Sequence, residues 1–184
     1  MSDTIDSGMV RLVLKSQYHA GLAMVREAVE RCPDDLWLNG QHRNAFWQIA
    51  YHVLFYTHLY LHSGLSAFRP WEGHQSAVQY QDGIPRNPKP GSALPLMPEP
   101  YTRSQALAYW DVCDRMVDGA VDALDLNSPE SGFPWYVMSK LDQQQVNLRH
   151  LQHHAGQLAD RLRGALDIGI KWVGAARPPG QRGG

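Results

Sequence analysis

Apolar side chains recur at intervals of three and four residues in four long stretches of this chain, the spacing of one face of an α-helix. The clearest stretch runs from about Met9 to about Arg31, and Pro33 ends it because proline cannot continue a helix. Its apolar stripe consists of Val10, Leu14, Tyr18, Leu22, Val25 and Val29. No stretch keeps the alternation of a half-buried strand, so the pattern predicts an all-α fold.

The second predicted helix runs from Ala45 to Ser63, with Asn44 as its N-cap and Gly64 at its end. It is apolar on most of its circumference, which is typical of a helix surrounded by others. We therefore expect it to be central in the fold.

The third predicted helix begins at Thr102, whose hydroxyl can cap it, and breaks at residues 127–129. The fourth runs from about Ser139 to about Leu166 and is the most polar of the set. Four helices of this length, with no internal repeat, predict an antiparallel four-helix bundle.

Most of the twelve prolines lie between Gly64 and Tyr101, so the connection between the second and third helices is predicted to be long and irregular. Loops of that length are usually functional, mobile or both. After Gly169 the chain is rich in glycine, proline and arginine. We therefore expect residues 1–168 to form the bundle and residues 169–184 to form a flexible tail.

Composition narrows the function. A chain of 184 residues with 43% hydrophobic and 19% charged side chains has the profile of a single globular domain. Its formal net charge of -1, without a run of Lys or Arg, argues against a nucleic-acid partner. Two cysteines are too few for a disulfide framework, and there is no secretory leader or long apolar run. We expect a cytoplasmic protein without a membrane partner.

The strongest local motif is the pair His150 and His154. Residues four apart on a helix lie about 40° apart on one face, as two ligands of one metal ion must. His153 lies on the other side of His150, away from the leucine stripe, and is expected to face water. Gln157 shares the inner face and could orient a ligand or a bound water.

His52 lies among apolar residues of the second helix, where a buried imidazole needs a partner, because an unpaired polar group there costs roughly 1 to 3 kcal/mol. A metal ion shared with His150 and His154 would supply that partner. Three imidazoles leave one coordination position open, as in catalytic zinc sites, and they suit nickel, copper or iron as well. Taken alone, each histidine is more often a hydrogen-bonded core residue than a ligand, and that alternative stays open.

The other histidines offer weaker signals. His58 and His62 form a second pair four residues apart, but they point more than about 80° from His52 and are expected at the surface or around the site. Three further histidines have no visible partner and are expected to be solvated: His19, His42 and His74.

Cysteine and aromatic residues have plain explanations. Cys32 and Cys113 are expected to be small core residues with free thiols. In the aromatic loop of residues 131–137, Trp135 and Tyr136 either pack in the core or close over a pocket.

These histidine motifs resemble the DinB-like (DinB/YfiT) superfamily of bacterial helical bundles. The resemblance rests on Asn-Ala-Phe-Trp-Gln-Ile-Ala-Tyr-His, ending at His52, and on His-Leu-Gln-His-His-Ala-Gly-Gln, which spans His150 to Gln157. It extends from about residue 9 to 168, and the second motif is the specific one. The metal triad of that family falls on His52, His150 and His154.

The resemblance implies a helix order that is not simply up-down-up-down, a divalent metal ion, typically nickel or zinc, and often a homodimer. Some members resemble transferases or isomerases that use a low-molecular-weight thiol such as mycothiol or bacillithiol, and one branch joins the ergothioneine pathway. The long proline-rich connection departs from the family pattern in the region best placed to cover a substrate.

Three functions are compatible with these motifs, and a fourth is disfavoured. The first is a metal-dependent enzyme, of the thiol-dependent transferase or isomerase type or a hydrolase, in which the ion activates a thiol or water for a small-molecule substrate. The second is a non-catalytic bundle in which the ion is structural. Haem bound by two histidines would give a coloured protein. A di-iron carboxylate site is disfavoured, because the second helix carries no Asp or Glu.

Overall fold

The computed structural model describes residues 7–80 and 99–176. These residues form five α-helices and no strand, which confirms the all-α class. The helices are α1 Ser7–Arg31, α2 Asp34–Trp37, α3 Phe46–Tyr60, α4 Arg103–Ala123 and α5 Lys140–Leu166. In this part of the chain no helix combines the length and the apolarity needed to cross a membrane.

Local sequence explains most of the helix ends. The Thr102 hydroxyl caps α4 by accepting from the Gln105 N–H, and the Gln105 side chain accepts from the Thr102 N–H in return. The Ser139 hydroxyl caps α5 by accepting from the Asp142 N–H. Asp167, in the left-handed conformation, ends α5.

The start of α3 differs from the prediction. Ala45, not Asn44, is the N-cap residue, and the Gln48 side-chain oxygen accepts from the Ala45 N–H at 2.6 Å. The Asn44 carbonyl instead accepts a hydrogen bond from Arg161 of α5. The helix ends at Tyr60, earlier than the predicted Ser63. Nearly all of α3 is buried, as expected for a central helix.

Named contacts give the relative directions of the long helices. Along α1 and α5 the residue numbers rise together, because Tyr18 bonds Gln144 and the Leu151 side chain packs on Gly21. Helices α3 and α5 are antiparallel, because Tyr60 is bonded to Gln144 and His52 lies beside His154. Helices α1 and α4 are also antiparallel, because Lys15 pairs with Asp122 and His19 contacts Asp114. Thus α1 and α5 run in the same direction.

Two short elements were not predicted. Helix α2 buries Trp37, whose ring packs on Phe46 and whose indole N–H donates to the Tyr101 carbonyl at 2.7 Å. A 3₁₀ turn over Leu65–Ala67 follows α3 within the predicted proline-rich connection. Residues 81–98, which hold most of the prolines in that connection, lie outside the described residues.

The chain after α5 lies along α1. Lys171 donates its N–H to a Glu27 carboxylate oxygen at 3.1 Å, and Ala176 donates to the Ser16 carbonyl at 3.3 Å. These contacts hold residues 169–176 near α1, and the rest of the predicted tail, residues 177–184, lies outside the described residues. The division of the chain at residue 168 stays a prediction.

Two glycines bring the end of α3 and the loop before α5 into direct backbone contact. A Cβ atom on Gly64 would lie 2.8 Å from the Gly132 carbonyl oxygen, and one on Gly132, where φ is +81°, would collide with the Ser63 carbonyl oxygen. The buried Lys140 ammonium group donates to the Ser63 and Ser131 carbonyls across this contact. Neither glycine position has room for a side chain.

Candidate metal centre

The three histidines that the sequence predicts as ligands converge between α3 and α5. One ring nitrogen from each of His52, His150 and His154 lies within 4.8 Å of the other two. The His150 Nε2 atom lies 3.0 Å from the His52 Nε2 and 3.1 Å from the His154 Nε2. The three residues therefore form a cluster compatible with metal binding.

Hydrogen bonds at the far side of two rings decide which nitrogen carries a proton. The His52 Nδ1 lies 2.7 Å from the Gln79 backbone carbonyl, and the His154 Nδ1 lies 2.7 Å from the Gln157 Oε1. Because both oxygens can only accept, each Nδ1 is the donor. In a neutral ring the Nε2 atom then keeps its lone pair, and both lone pairs face the His150 Nε2.

The donor set and its dimensions fit a small divalent cation. Imidazole nitrogens bind zinc at about 2.0–2.1 Å, so two of them at tetrahedral positions are about 3.3 Å apart. The observed separations of 3.0 and 3.1 Å are close to that value. His150 Nε2 can carry only one proton for two facing lone pairs, whereas one cation can accept all three nitrogens.

Burial keeps the most buried of the three histidines neutral. His154 is 4% exposed, and burial lowers its pKa to about 4, with the Gln157 hydrogen bond opposing and the nearby His153 adding to the effect. His52 and His150 are half-buried. At neutral pH His154 therefore offers a lone pair without first losing a proton.

Aromatic rings lie against the same cluster. The Tyr56 ring centroid lies 4.8 Å from that of His52 and 5.4 Å from that of His150. The ring centroid of Tyr60, one turn further along α3, lies 5.6 Å from that of Tyr56. Tyr56 thus shields one side of the histidines with an apolar surface.

A layer of buried polar side chains lies next to the cluster, toward the start of α5. Gln143, Gln144 and Asn147 are fully buried there, although none is charged. The Gln144 amide donates to the Tyr60 carbonyl, and the Asn147 amide lies 3.4 Å from the Thr57 carbonyl. The facing helices are therefore joined by protein hydrogen bonds as well as by the histidines.

The outer side of α5 is open to solvent beside the cluster. An open depression there reaches His150 and is lined by Val146, Arg149, His150, Gln152 and His153. His153 is exposed, as predicted. His150 thus belongs to both the depression and the cluster.

Two histidines predicted to be solvated are not. His19 is buried, with its Nδ1 2.7 Å from an Asp114 carboxylate oxygen and its Nε2 3.3 Å from one of Asp118. His74 is half-buried, and its Nδ1 lies 2.6 Å from the Tyr51 hydroxyl oxygen. Their partners lie on elements distant in sequence, which the local pattern could not reveal. His42 is exposed, as predicted.

The pair His58 and His62 does not join the metal cluster. His58 is buried rather than at the surface, its Nδ1 lies 3.0 Å from the Tyr109 hydroxyl, and burial lowers its pKa to about 4. The His62 Nδ1 lies 2.9 Å from the His58 carbonyl. Both therefore have structural partners of their own.

The cysteines are free and buried, as expected. Burial raises the pKa of the Cys32 thiol to about 12 and that of Cys113 further. In the aromatic loop, Tyr136 packs on Tyr60, and the half-exposed Trp135 donates its indole N–H to the Tyr60 hydroxyl at 3.1 Å. The loop is thus anchored to α3.

One residue of the site has no sequence signal. Gln79 reaches His52 through its backbone carbonyl, which any residue type would offer. Gln157, in contrast, was predicted to share the inner face of its helix, and its side chain contacts His154.

Comparison with known proteins gives one match. The family model of the DinB superfamily matches residues 17–158. That range includes His52, His150, His154 and Gln157. No curated protein and no solved structure matches the chain.

Proposed function

The chain belongs to the DinB superfamily, and on that premise we propose that it is a metal-dependent enzyme with one divalent transition metal ion held by His52, His150 and His154. Zinc and nickel are the ions proposed first, because three neutral imidazoles suit both. The single observation that carries the proposal is the convergence of three Nε2 atoms, two of them with their lone pairs fixed inward.

Residues of the chain prepare the site in distinct ways. The Gln79 carbonyl and the Gln157 side chain orient the rings of His52 and His154 through their Nδ1 protons. Burial keeps His154 neutral, and the Tyr56 ring limits access of water from one side. We propose that Gln157 also helps to hold the bound group in place. A bound ion would lower the pKa of a thiol or water that reached its remaining coordination position.

Two observations favour a catalytic ion over a structural one. Among residues 7–80 and 99–176, three side chains form the cluster, whereas structural zinc sites are closed by four ligands. In addition, α3 and α5 are already joined by the buried side-chain amides of Gln144 and Asn147. The ion is therefore not needed to bring these two helices together.

If the reaction uses a thiol, that thiol has to come from solution. Both cysteines of the chain are buried outside the cluster, and the pKa values of both are raised. We therefore propose a low-molecular-weight thiol as the second reactant of a transferase or isomerase, with hydrolysis as the alternative when water takes its place. The depression that reaches His150 is the proposed entrance for the small-molecule substrate.

The wider proposal concerns assembly. We propose that the four long helices form the family bundle, with α1 and α5 in one direction and α3 and α4 in the other. The opposed contacts between α3 and α5 and between α1 and α4 support it. We also propose a cytoplasmic homodimer without a nucleic-acid or membrane partner. Light scattering on the purified protein tests the dimer.

Metal analysis tests the proposed site. We expect about one zinc or nickel ion per chain in the wild type and in His153→Ala, and little metal in His52→Ala, His150→Ala and His154→Ala. His153→Ala is the matched control, because it removes a neighbouring but exposed imidazole from the same helix. Equal metal content in all five proteins would overturn the assignment.

Activity tests separate catalysis from a structural role. The metal-loaded wild type is incubated with thiol-transfer, isomerase and hydrolase substrates, with His150→Ala as the reference. Turnover that is lost with the metal supports the enzyme. A metal-loaded protein that turns over none of these substrate classes supports the structural alternative.

A further inference from the structure

The segment Trp71–Tyr80, called here the clamp segment, folds onto the core beside the metal cluster. Most of its contacts are made with aromatic residues that are not ligands. Trp71 stacks on Tyr109, His74 bonds the Tyr51 hydroxyl, and Gln75 donates its N–H to the Tyr101 hydroxyl at 2.8 Å. This part of the connection is therefore held from several sides.

The segment makes a turn that an L-residue adopts with difficulty. Ala77 has φ of +71°, and it is one of two non-glycine residues with positive φ in the described part of the chain. It is also buried, at 4% exposed, as is the adjacent Val78. A conformation of this kind persists only where its surroundings impose it, and such positions are often found at functional sites.

The turn that begins at Ala77 positions one backbone oxygen, the carbonyl oxygen of Gln79. Tyr80 donates its N–H to the Ala77 carbonyl at 3.1 Å, which closes the turn around Gln79. Within the turn, the Gln79 carbonyl reaches the His52 Nδ1 at 2.7 Å. An acceptor at this atom fixes the proton on Nδ1 and leaves Nε2 free to bind the cation.

We propose that the clamp segment is a positioning element of the metal site, in which the left-handed turn at Ala77 holds the Gln79 carbonyl against His52, so that metal binding and docking of the segment stabilise each other. This inference rests on the proposed metal site. The coupling is reciprocal by thermodynamic necessity. A change that loosens docking of the clamp segment lowers the affinity for the metal ion, and a bound metal ion stabilises the docked segment.

The first test changes the turn without touching a ligand. Valine is β-branched and strongly disfavours positive φ, whereas glycine adopts it freely. We expect Ala77→Val to weaken zinc binding about 10-fold or more, the range typical of lost outer contacts to metal ligands. Ala77→Gly should stay within about 3-fold of wild type, and so should Ser76→Val, which places valine at the exposed neighbouring position. Zinc affinity is measured by competition with a chromophoric chelator.

The second test reads the coupling from the other end. Amide hydrogen exchange of residues 75–80 is measured in the wild type with and without zinc, with His150→Ala as the control that should show no zinc effect. Zinc should slow exchange of these amides in the wild type. Tyr51→Phe, which removes only the hydroxyl that bonds His74, should raise their exchange and weaken zinc binding several-fold, and it remains informative if Ala77→Val fails to fold.

The outcomes separate the two proposals. If the wild type binds neither zinc nor nickel, the metal site itself is wrong, and the inference falls with it. If zinc binds and depends on the three histidines, but Ala77→Val binds it as tightly as wild type or zinc leaves exchange of residues 75–80 unchanged, only the inference is wrong. Equal weakening by Ala77→Val and Ala77→Gly would also overturn it, because the backbone conformation would then not be the cause.

Discussion

The seam between α1 and α4 and the seam between α3 and α5 both contain histidine, and they surround it with opposite kinds of neighbour. In the seam between α1 and α4, His19 lies between two carboxylates, those of Asp114 and Asp118. In the seam between α3 and α5, His52 and His154 each place their Nδ1 against an uncharged oxygen. The neighbours thus determine what the same side chain does.

The seam between α1 and α4 is built from opposite charges. Hydrogen bonding to Asp114, with its charge and that of Asp118, raises the pKa of His19 against the effect of burial. Lys15 pairs with Asp122 at 2.8 Å, and the Arg11 guanidinium donates to the Val121 and Leu124 carbonyls at the end of α4. A protonated His19 fits this row as one more cation.

The seam between α3 and α5 works by the opposite principle. Uncharged acceptors fix the proton on Nδ1 without adding negative charge, and at His154 burial also opposes a second proton by lowering the pKa. A neighbouring carboxylate favours the cationic form of a buried histidine, whereas a neutral carbonyl oxygen favours the neutral form that the proposed metal site needs. This contrast predicts how substitutions in the two seams should differ.

The largest effect on thermal stability is expected when the metal ion is removed from the seam between α3 and α5. Zinc at about 1,000 times its dissociation constant would add about 4 kcal/mol to stability. Loss of that contribution lowers Tm by about 8–16 °C for a chain of this size. We expect this drop when a chelator is added to the wild type or to Asp114→Asn, but not to His154→Ala. Thermal unfolding followed by circular dichroism measures it, and a Tm unaffected by chelator would contradict the metal site.

The next largest effect on stability is expected in the seam between α1 and α4. Asp114→Asn replaces the shorter of the two carboxylate contacts of His19 and should lower the free energy of unfolding by about 2 kcal/mol, as for a buried hydrogen bond to a charged group. Asp118→Asn should cost less, because its contact is longer and its side chain more exposed. Urea unfolding measures both. Metal content should stay at the wild-type level, and its loss would show that the seams are not independent.

The pH dependence of stability should reflect the raised pKa of His19. Because its pKa is raised in the folded state, the stabilisation by His19 is fully present below the unfolded value of about 6.5 and is lost as pH rises through the folded value. The stability advantage of wild type over His19→Gln should therefore shrink between pH 6 and pH 9. Urea unfolding of both metal-free proteins across this range measures it, and a constant or growing advantage would contradict a protonated His19.

His58 should show the opposite sign and serves as the internal contrast. Its folded pKa of about 4 lies below the unfolded value, so its neutral form is favoured above about pH 6.5 and stability is lost as pH falls toward 4. Loss of stability in acid should therefore be smaller in His58→Gln than in wild type.

The smallest effect is expected for the pair at the edge of the charged seam. Asp122 is 59% exposed, and exposed ion pairs contribute little. Lys15→Met should change the free energy of unfolding by less than about 0.5 kcal/mol, as measured by urea titration. A loss as large as that of Asp114→Asn would mean that charge, rather than burial of His19, dominates this seam.

The sequence predicts the residues whose signal is local. Helix periodicity places His150 and His154 on one face, Thr102 signals the cap of α4, and an imidazole among apolar neighbours marks His52. The partners of His19 and His74 were missed because each lies on another element, so contact depends on how the elements pack.

Two further features of the structure have no residue-type signature. Ala45 begins α3 because a Gln48 side chain satisfies its N–H, although alanine cannot cap a helix with its own side chain. The Gln79 oxygen is a main-chain atom whose position follows from the turn at Ala77. Backbone geometry of this kind is set by long-range packing, and a single sequence does not encode it in a recognisable motif.

The contact between Gly64 and Gly132 has a consequence for how this sequence can diverge. A side chain at Gly64 would collide with the backbone of Gly132, and one at Gly132 would collide with the backbone of Ser63 and Gly64. Because the colliding atoms belong to the backbone, a second substitution at the other position cannot remove the collision. Descendants of this chain can drift widely at the surface of α4, yet they must inherit both glycines together or rebuild the junction by insertion or deletion. Paired retention or paired loss at these two positions is therefore the expected evolutionary record.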